Sequence, residues 1–242
     1  GTGHGVYARF SNANRTALTD KAYLAFYTTD ATAPSAPTGL AVAGVTSGVW
    51  QNAVSAPTFT WTSGADAQGS GQGVSGVRGQ KYYFGADVNG SPNAFQTGAG
   101  FAPGAQASGT YYFKVDTIDY ALNESGAAGF TFMYDGTAPT GVSLGFGGIT
   151  TDSIEVTGSA TDAHSGISAS TGYNYSRAGA SDSGAKGATH TWAGLAANTE
   201  YTGLSVTVSD QAVPTPNAAA SSPQNQWTLS VAPTSGSVTA DD

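Results

Sequence analysis

The sequence predicts an all-β chain made of tandem antiparallel β-sandwiches, and three observations carry that prediction. Apolar residues come in short runs that alternate with polar ones, glycine fills 34 of 242 positions, and a Thr-Ala-Pro motif recurs at about the length of one sandwich domain. Successive strand side chains point to opposite faces, so alternation marks a strand with one dry and one wet side. Leu204, Val206 and Val208 alternate with Ser205, Thr207 and Ser209, and Phe59 and Trp61 alternate with Thr58, Thr60 and Thr62. Ile154 and Val156 stand against Ser153, Glu155 and Thr157; Phe130, Phe132 and Tyr134 stand against Thr131, Met133 and Asp135. Antiparallel sheets packed face to face satisfy this pattern, whereas a parallel sheet covered on both sides needs continuous apolar runs. No stretch carries the pattern of an amphipathic helix.

The repeats set the domain plan. Thr32-Ala33-Pro34 follows Asp30, Thr137-Ala138-Pro139 follows Asp135, and Val231-Ala232-Pro233-Thr234 closes the series, with Pro34 and Pro139 separated by 105 residues and Pro139 and Pro233 by 94. Residues 32–136 and 137–232 are each read as one sandwich. Ahead of each Pro stands a strand, a loop and a final strand: Gly5 to Phe10 then Tyr23 to Tyr27, Gly109 to Val115 then Phe130 to Tyr134, and Leu204 to Val208 then Trp227 to Val231. Residues 1–31 therefore read as the closing hairpin of a preceding unit, and 233–242 as the start of a further unit or a tail. Two strands alone are marginal in water, so the chain is either an excerpt of a longer array or completes that hairpin with strands from another copy.

Composition narrows the function classes. The net charge is −8 with lysine and arginine scattered singly, which argues against a nucleic-acid partner. No apolar stretch approaches the roughly 18 to 20 residues of a membrane-spanning helix. Thirteen of the sixteen acidic residues are aspartate, a loop and turn residue, and abundant Ser and Thr with few Lys suggest an extracellular or cell-surface setting. With no cysteine, disulfides cannot decide the compartment.

The run Trp50-Gln51-Asn52, then Phe59-Thr60-Trp61, Ser75-Gly76-Val77 and Tyr82-Tyr83-Phe84-Gly85, resembles the fibronectin type III-like and bacterial Ig-like repeats of large prokaryotic surface proteins. Tyr111 to Val115 followed by Asp119 to Ser125 is similar to the family's strand F and its Asp-x-Ala-Gly-Asn turn, with Leu122 in place of the usual Gly. In the second unit Asp162 to Ile167 resembles the B–C loop and Leu195 to Tyr201 the E–F corner with its tyrosine, while Asp210-Gln211-Ala212 runs into Val213-Pro214-Thr215-Pro216 and departs from the F–G pattern. The resemblance covers nearly all of 32–232. It implies Ig-like sandwiches and no single function, because such modules serve as spacers, adhesive surfaces and enzyme accessories.

The chemistry-bearing residues are few. Histidine occurs at 4, 164 and 190; Asp162-x-His164-Ser165 holds the residue types of a triad but crowds them into one loop without a nucleophile elbow. Glutamate is too scattered for a glycosidase pair and no two histidines have zinc spacing. Lys81 and Lys114 are the candidates for a Lys–Asn cross-link of the kind found in some surface Ig-like domains. A calcium site has more support. In an Ig-like sandwich the linker into strand A and the B–C and F–G loops converge at one end, and each unit has an aspartate in all three: Asp30, Asp66 and Asp119, with Asp116 nearby, then Asp135, Asp162 and Asp210. Three carboxylates with carbonyls and waters suit calcium's six to eight oxygen ligands. The plainer alternative is that these aspartates end strands and cap turns.

Trp61, Trp192 and Trp227 read as core, while Trp50, Tyr82, Tyr83 and Tyr112 are the aromatics free to meet a sugar ring. Asn14, Asn89, Asn123 and Asn174 lie in Asn-x-Ser/Thr triplets that permit glycan attachment. Together these features predict a non-catalytic spacer of a prokaryotic cell-surface or secreted protein, such as a filament or sheath subunit, requiring no cofactor and meeting neighbouring repeats or copies of itself head to tail. The alternative is an adhesin or a polysaccharide-binding accessory of a larger secreted enzyme, meeting surface glycans.

Overall fold

The computed structural model describes residues 30–232 apart from 68 and 70–72; the hairpin expected within 1–29, Asn14 and the segment 233–242 lie outside the described residues. Sixteen strands and no helix make up the described chain, so no helix there is long and apolar enough to cross a membrane. They form two sandwiches in succession.

In the first, β1 (Thr38–Val42), β3 (Phe59–Thr62) and β6 (Gly100–Phe101) form one sheet in the order β1-β3-β6. The facing sheet runs β2-β8-β7-β4-β5, from Trp50–Gln51, Ala128–Tyr134, Gly109–Asp119, Val77–Gly85 and Ala94–Gln96. All pairings are antiparallel except β2 with β8, where Trp50 lies beside Met133 and Gln51 beside Tyr134. The alternation predicted from sequence produces the core: Val42, Phe59 and Trp61 meet Phe113, Val115, Phe130 and Phe132. Phe59, fully buried, stacks on Phe113 at 4.3 Å and takes Phe130 edge-on at 5.7 Å.

The second sandwich repeats the plan. β9 (Thr140–Ile149), β10 (Ser153–Thr161) and β13 (Thr189–Ala193) form one sheet. β12 (Ala185–Lys186), β11 (Tyr173–Ser176) and β14 (Glu200–Ser209) form the other, and β14 is completed by β15 (Ala218–Ala220) and β16 (Gln224–Trp227). Ile154, Val156 and Trp192 pack against Tyr175, Leu204, Val206 and Val208. Tyr175 is buried with its polar end satisfied, since its hydroxyl accepts from Gly158 N at 3.0 Å and donates to Gly187 O at 3.3 Å. Each unit also has a tyrosine at its E–F corner. Tyr111 donates to Ala107 O at 3.1 Å, and the Tyr201 hydroxyl accepts from Ala196 N at 2.8 Å.

The last strand differs from expectation. Pro223 lacks an N–H for the ladder, the strand is split between Ala220 and Gln224, and it ends at Trp227 rather than running to Val231. Trp227 therefore does not join the core; it is 53% exposed, with Leu229 and Val231 exposed beyond it. Trp61 and Trp192 are buried as read.

The two units are joined by more than the linker. Val213, in the loop after β14, forms a parallel bridge with Gln51 of the first unit; Asn52 N donates to Val213 O at 2.9 Å and Val213 N to Trp50 O at 3.1 Å. β2 is thus flanked by β8 of its own unit and by a loop of the next. Val213 and Pro214 line a depression with Gly44, Thr46, Val49, Gln51 and Ala53, and Trp50 meets His164 edge-on at 5.8 Å.

Candidate functional site

Each unit gathers its three aspartates at the end that receives the linker. In Asp30, Asp66 and Asp119, and again in Asp135, Asp162 and Asp210, one carboxylate oxygen per residue lies within 4.8 Å of the other two. The six aspartates singled out in the sequence thus assemble as two triads. Asp116 stays apart: it is buried where β7 runs beside β4, accepts from Lys81 N at 3.2 Å, and neighbours Glu124.

The two triads share one hydrogen-bonded frame. The linker aspartate accepts from the threonine two residues on, Thr32 N to Asp30 at 3.0 Å and Thr137 N to Asp135 at 3.1 Å. Its other oxygen accepts from a serine N–H of the B–C loop, Ser75 at 2.8 Å or Ser165 at 3.0 Å. The glycine after that serine donates to the second aspartate, Gly76 N to Asp66 at 2.6 Å and Gly166 N to Asp162 at 2.7 Å. The third aspartate is held by an asparagine at the end of the F–G loop. Asn123 donates from N and Nδ2 to Asp119 at 2.8 Å each, and Asn217 donates likewise to Asp210 at 2.9 and 2.6 Å. The same amide reaches back to the linker carbonyl, Asn123 to Asp30 O at 3.2 Å and Asn217 to Asp135 O at 2.9 Å.

Charge-assisted bonds favour ionised carboxylates. The Ser75 backbone N–H, then Thr32 and the Ser75 side chain, hold Asp30 below its ordinary value. For Asp135 burial is the largest single influence and pushes upward, but the bonds from Ser165 and Thr137 together outweigh it and the carboxyl also sits low. Negative charges on three carboxylates whose oxygens lie within 4.8 Å of one another repel. Their frame leaves oxygen unshared, since buried Asp66 Oδ1 has no hydrogen-bond partner. An all-oxygen, anionic donor set of this kind suits a hard divalent cation.

Sequence reading missed the serine-glycine pair and the asparagine as parts of the frame. The signal was present as a recurrence: Asp-x-Thr, then Asp with Ser-Gly, then Asp with Asn. The intervening lengths hide it, because Asp66 and Ser75 are separated by nine positions but Asp162 and Ser165 by three. The apparent departure at Val213 to Pro216 is an insertion; Asn217 lies beyond it and fills the place of Asn123.

The other candidates have ordinary partners. Ser165 is tied to Asp135 and Gln211, whereas the His164 ring lies against Trp50 and its buried Nδ1, 3.9 Å from Asp135, has no hydrogen-bond partner among the described residues. His190 stacks on Tyr175 at 5.5 Å. Lys81 pairs with Glu124 at 2.7 Å and Lys114 donates to Val88 O at 2.7 Å, so neither has an asparagine as the partner of its Nζ. Tyr82, Tyr83 and Tyr112 are half-buried on β4 and β7.

No family model matches the chain, and no curated protein does. Among solved structures it is similar to a central fibronectin-III array of RIM-binding protein, at 15% identity over 84% of this chain and 71% of that one with a TM-score of 0.29. A two-domain fibronectin type III segment of chicken tenascin gives 12%, 78%, 99% and 0.34 in the same order. Fibronectin(III)-like modules of Clostridium thermocellum CbhA give 14%, 79%, 94% and 0.35. At these values the architecture rests on the sheets described above.

Proposed function

We propose that this chain is a non-catalytic spacer, two sandwiches held in a fixed relation, within a cell-surface or secreted prokaryotic protein. The observation that carries this reading is the junction. A flexible string of modules needs only a linker, whereas here Val213 continues the pairing of β2 across the boundary and Asn52 Nδ2 donates to Asn217 Oδ1 at 3.0 Å and to Thr215 O. Pro139 in the linker fixes its own φ and disfavours the helical region for Ala138, which removes further freedom. The aromatic best placed by sequence for a sugar, Trp50, is engaged by His164 at this junction, which favours the spacer over the glycan-binding alternative.

Calcium at both triads belongs to the same reading. Asn217 holds Asp210 and the Asp135 carbonyl with its amide nitrogen and accepts from Asn52 with its oxygen, so a cation at the second triad stiffens the residue that also binds the first unit. The test is a distance measurement between spin labels, one on each unit. A single narrow distribution supports a fixed junction, and Val213→Gly should broaden it. A broad distribution in the unaltered chain would refute the spacer reading.

A further inference from the structure

The Asn-x-Ser/Thr triplets at Asn89, Asn123 and Asn174 fall among the described residues, and the fold treats them differently. Attaching a glycan to such a triplet makes a bond to the Asn Nδ2. The chemistry therefore needs that nitrogen unengaged and a backbone that can fold the hydroxyl two residues on towards it.

Two of the triplets are locked. Asn123 commits its Nδ2 to the frame of the first triad, donating to Asp119 Oδ2 at 2.8 Å and to the Asp30 carbonyl at 3.2 Å. Its hydroxyl partner is engaged as well, since Ser125 Oγ accepts from Thr117 N at 2.8 Å and donates to Gly126 O at 3.0 Å. Asn174 sits within β11, paired with Thr207 of β14 on one side and Ala185 of β12 on the other. Its Nδ2 donates to Asp182 at 3.4 Å, and Ser176 Oγ lies 2.8 Å from Ser205 Oγ. A strand holds residues i and i+2 roughly 7 Å apart along its face, so this amide and hydroxyl are kept from meeting.

Asn89 is the opposite case. It stands in the turn Asp87-Val88-Asn89-Gly90 after β4, closed by Gly90 N donating to Asp87 O at 3.0 Å and Asn89 N to Asp87 Oδ1 at 2.8 Å. Asn89 and Ser91 are both exposed, and neither side chain is hydrogen-bonded to another described residue. The turn itself is anchored. The Tyr83 hydroxyl accepts from Asp87 N at 3.0 Å, Lys114 Nζ donates to Val88 O at 2.7 Å, and the Tyr83 ring would lie 2.0 Å from a Cβ on Gly90. These contacts hold the turn by its backbone and leave the Asn89 amide unengaged. Val77 at one end of β4 pairs with Asp119 and Gly85 at the other with Tyr112, so the turn lies at the end away from the first triad.

We propose that Asn89 is the acceptor of an N-linked glycan in the folded chain and that Asn123 and Asn174 are not. The donor is an oligosaccharide carried on a lipid diphosphate. Asn89 Nδ2 attacks its anomeric carbon; the C–N bond forms as the anomeric C–O bond breaks, the lipid diphosphate leaves, and Nδ2 loses one proton to the transferase. Donor and transferase belong to the export route, so the inference rests on the surface or secreted reading. Its test is separate, because the label distances above judge the spacer whether or not Asn89 is modified.

The folded full chain, and separately a short peptide spanning each triplet, are given to a purified oligosaccharyltransferase that accepts any Asn-x-Ser/Thr triplet, with its lipid-linked oligosaccharide. Mass spectrometry of the glycopeptides reads the rate at each site. Asn89 in the folded chain should be modified within about threefold of the rate in its own peptide, whereas Asn123 and Asn174 should fall at least about a hundredfold below theirs, because each needs local opening first. Asn89→Gln should keep the parent's melting temperature and remove the modification from these three sites. An unmodified Asn89 peptide, a folded chain refused at Asn89, or Asn123 or Asn174 modified in the folded chain as fast as in its peptide would each overturn the proposal.

Discussion

Asn217→Ala is the sharpest test of the frame at the second triad. The substitution removes two bonds from Nδ2, to Asp210 Oδ2 at 2.6 Å and to Asp135 O at 2.9 Å, and one accepted by Oδ1 from Asn52 at 3.0 Å. A neutral hydrogen bond contributes about 1 kcal/mol net and one to a charged group about 1.5 to 3 kcal/mol. Asn217 is only half-buried, so water replaces part of what is lost, and about 2 to 3 kcal/mol is expected. For a domain of about 100 residues each kcal/mol moves the melting temperature by roughly 4 to 8 °C. Scanning calorimetry should therefore show the second unit's transition lowered by roughly 10 to 20 °C. Asn123→Ala should lower the first unit's transition instead, through the matching bonds to Asp119 and Asp30. A double-mutant cycle of Asn217→Ala with Asn52→Ala isolates the bond across the boundary, and a coupling of about 0.5 to 1.5 kcal/mol is expected. An Asn217→Ala transition within about 2 °C of the parent would show that the frame does not hold this end together.

The remaining expectations follow from the core, the triads and the titrating groups. Phe59→Ala should destabilise the first unit by about 3 to 5 kcal/mol, whereas Trp227→Ala, at an exposed position, should stay within about 0.5 kcal/mol in dilute solution; urea unfolding measures both. Gly64→Ala should be severe, because a Cβ there would lie 1.7 Å from Ser35 O, and a variant melting like the parent would refute the close approach of linker and B–C loop. Calcium at about a hundred times its dissociation constant should add roughly 2.7 kcal/mol per unit, with Asp66→Asn removing the shift of the first transition and Asp162→Asn that of the second. Equal melting in calcium and in chelator would remove the metal from the account. Asp30 and Asp135, whose folded carboxyls titrate low, contribute stability that is present above the ordinary carboxylate range and lost as pH falls through their folded values. Asp116 has the opposite sign: burial and then Glu124 raise it, so its ionised form opposes folding at neutral pH. Asp116→Asn should raise the melting temperature at pH 7, with the gain shrinking on acidification; a gain that persists unchanged in acid would refute that cause.

The sandwich cores were legible because burial there follows a period of two. Phe59, Trp61, Ile154, Val156, Val206 and Val208 are all buried where alternation puts them. Alternation failed at Trp227 because it reports which residues share a face and not whether another layer covers that face. The three-loop convergence was legible from topology, and the aspartates could be named from it. What the sequence concealed was the support around them. Backbone N–H groups of Thr32, Gly76, Thr137 and Gly166 leave no side-chain signature, and Asn217 stands seven residues beyond Asp210 where Asn123 stands four beyond Asp119.

That difference in length separates two jobs within one loop. The shorter F–G turn needs only to return the chain from Asp119 to Asn123, and it does so with Leu122 in the left-handed region. The longer one reaches from Asp210 to Asn217 around the same frame and spends its extra residues outward, where Val213 pairs with Gln51 and the Thr215 carbonyl accepts from Asn52. The carboxylate frame is therefore a fixed requirement of the tip, met twice by loops of unequal length, while the insertion is specific to the neighbour it touches. Excising Gln211 to Pro216 down to the length of the first loop should leave the second triad assembled and its transition near that of the parent, yet broaden the distance distribution between the units. Collapse of the second unit on excision would show instead that the insertion supports the sandwich itself, and the separation of roles would fail.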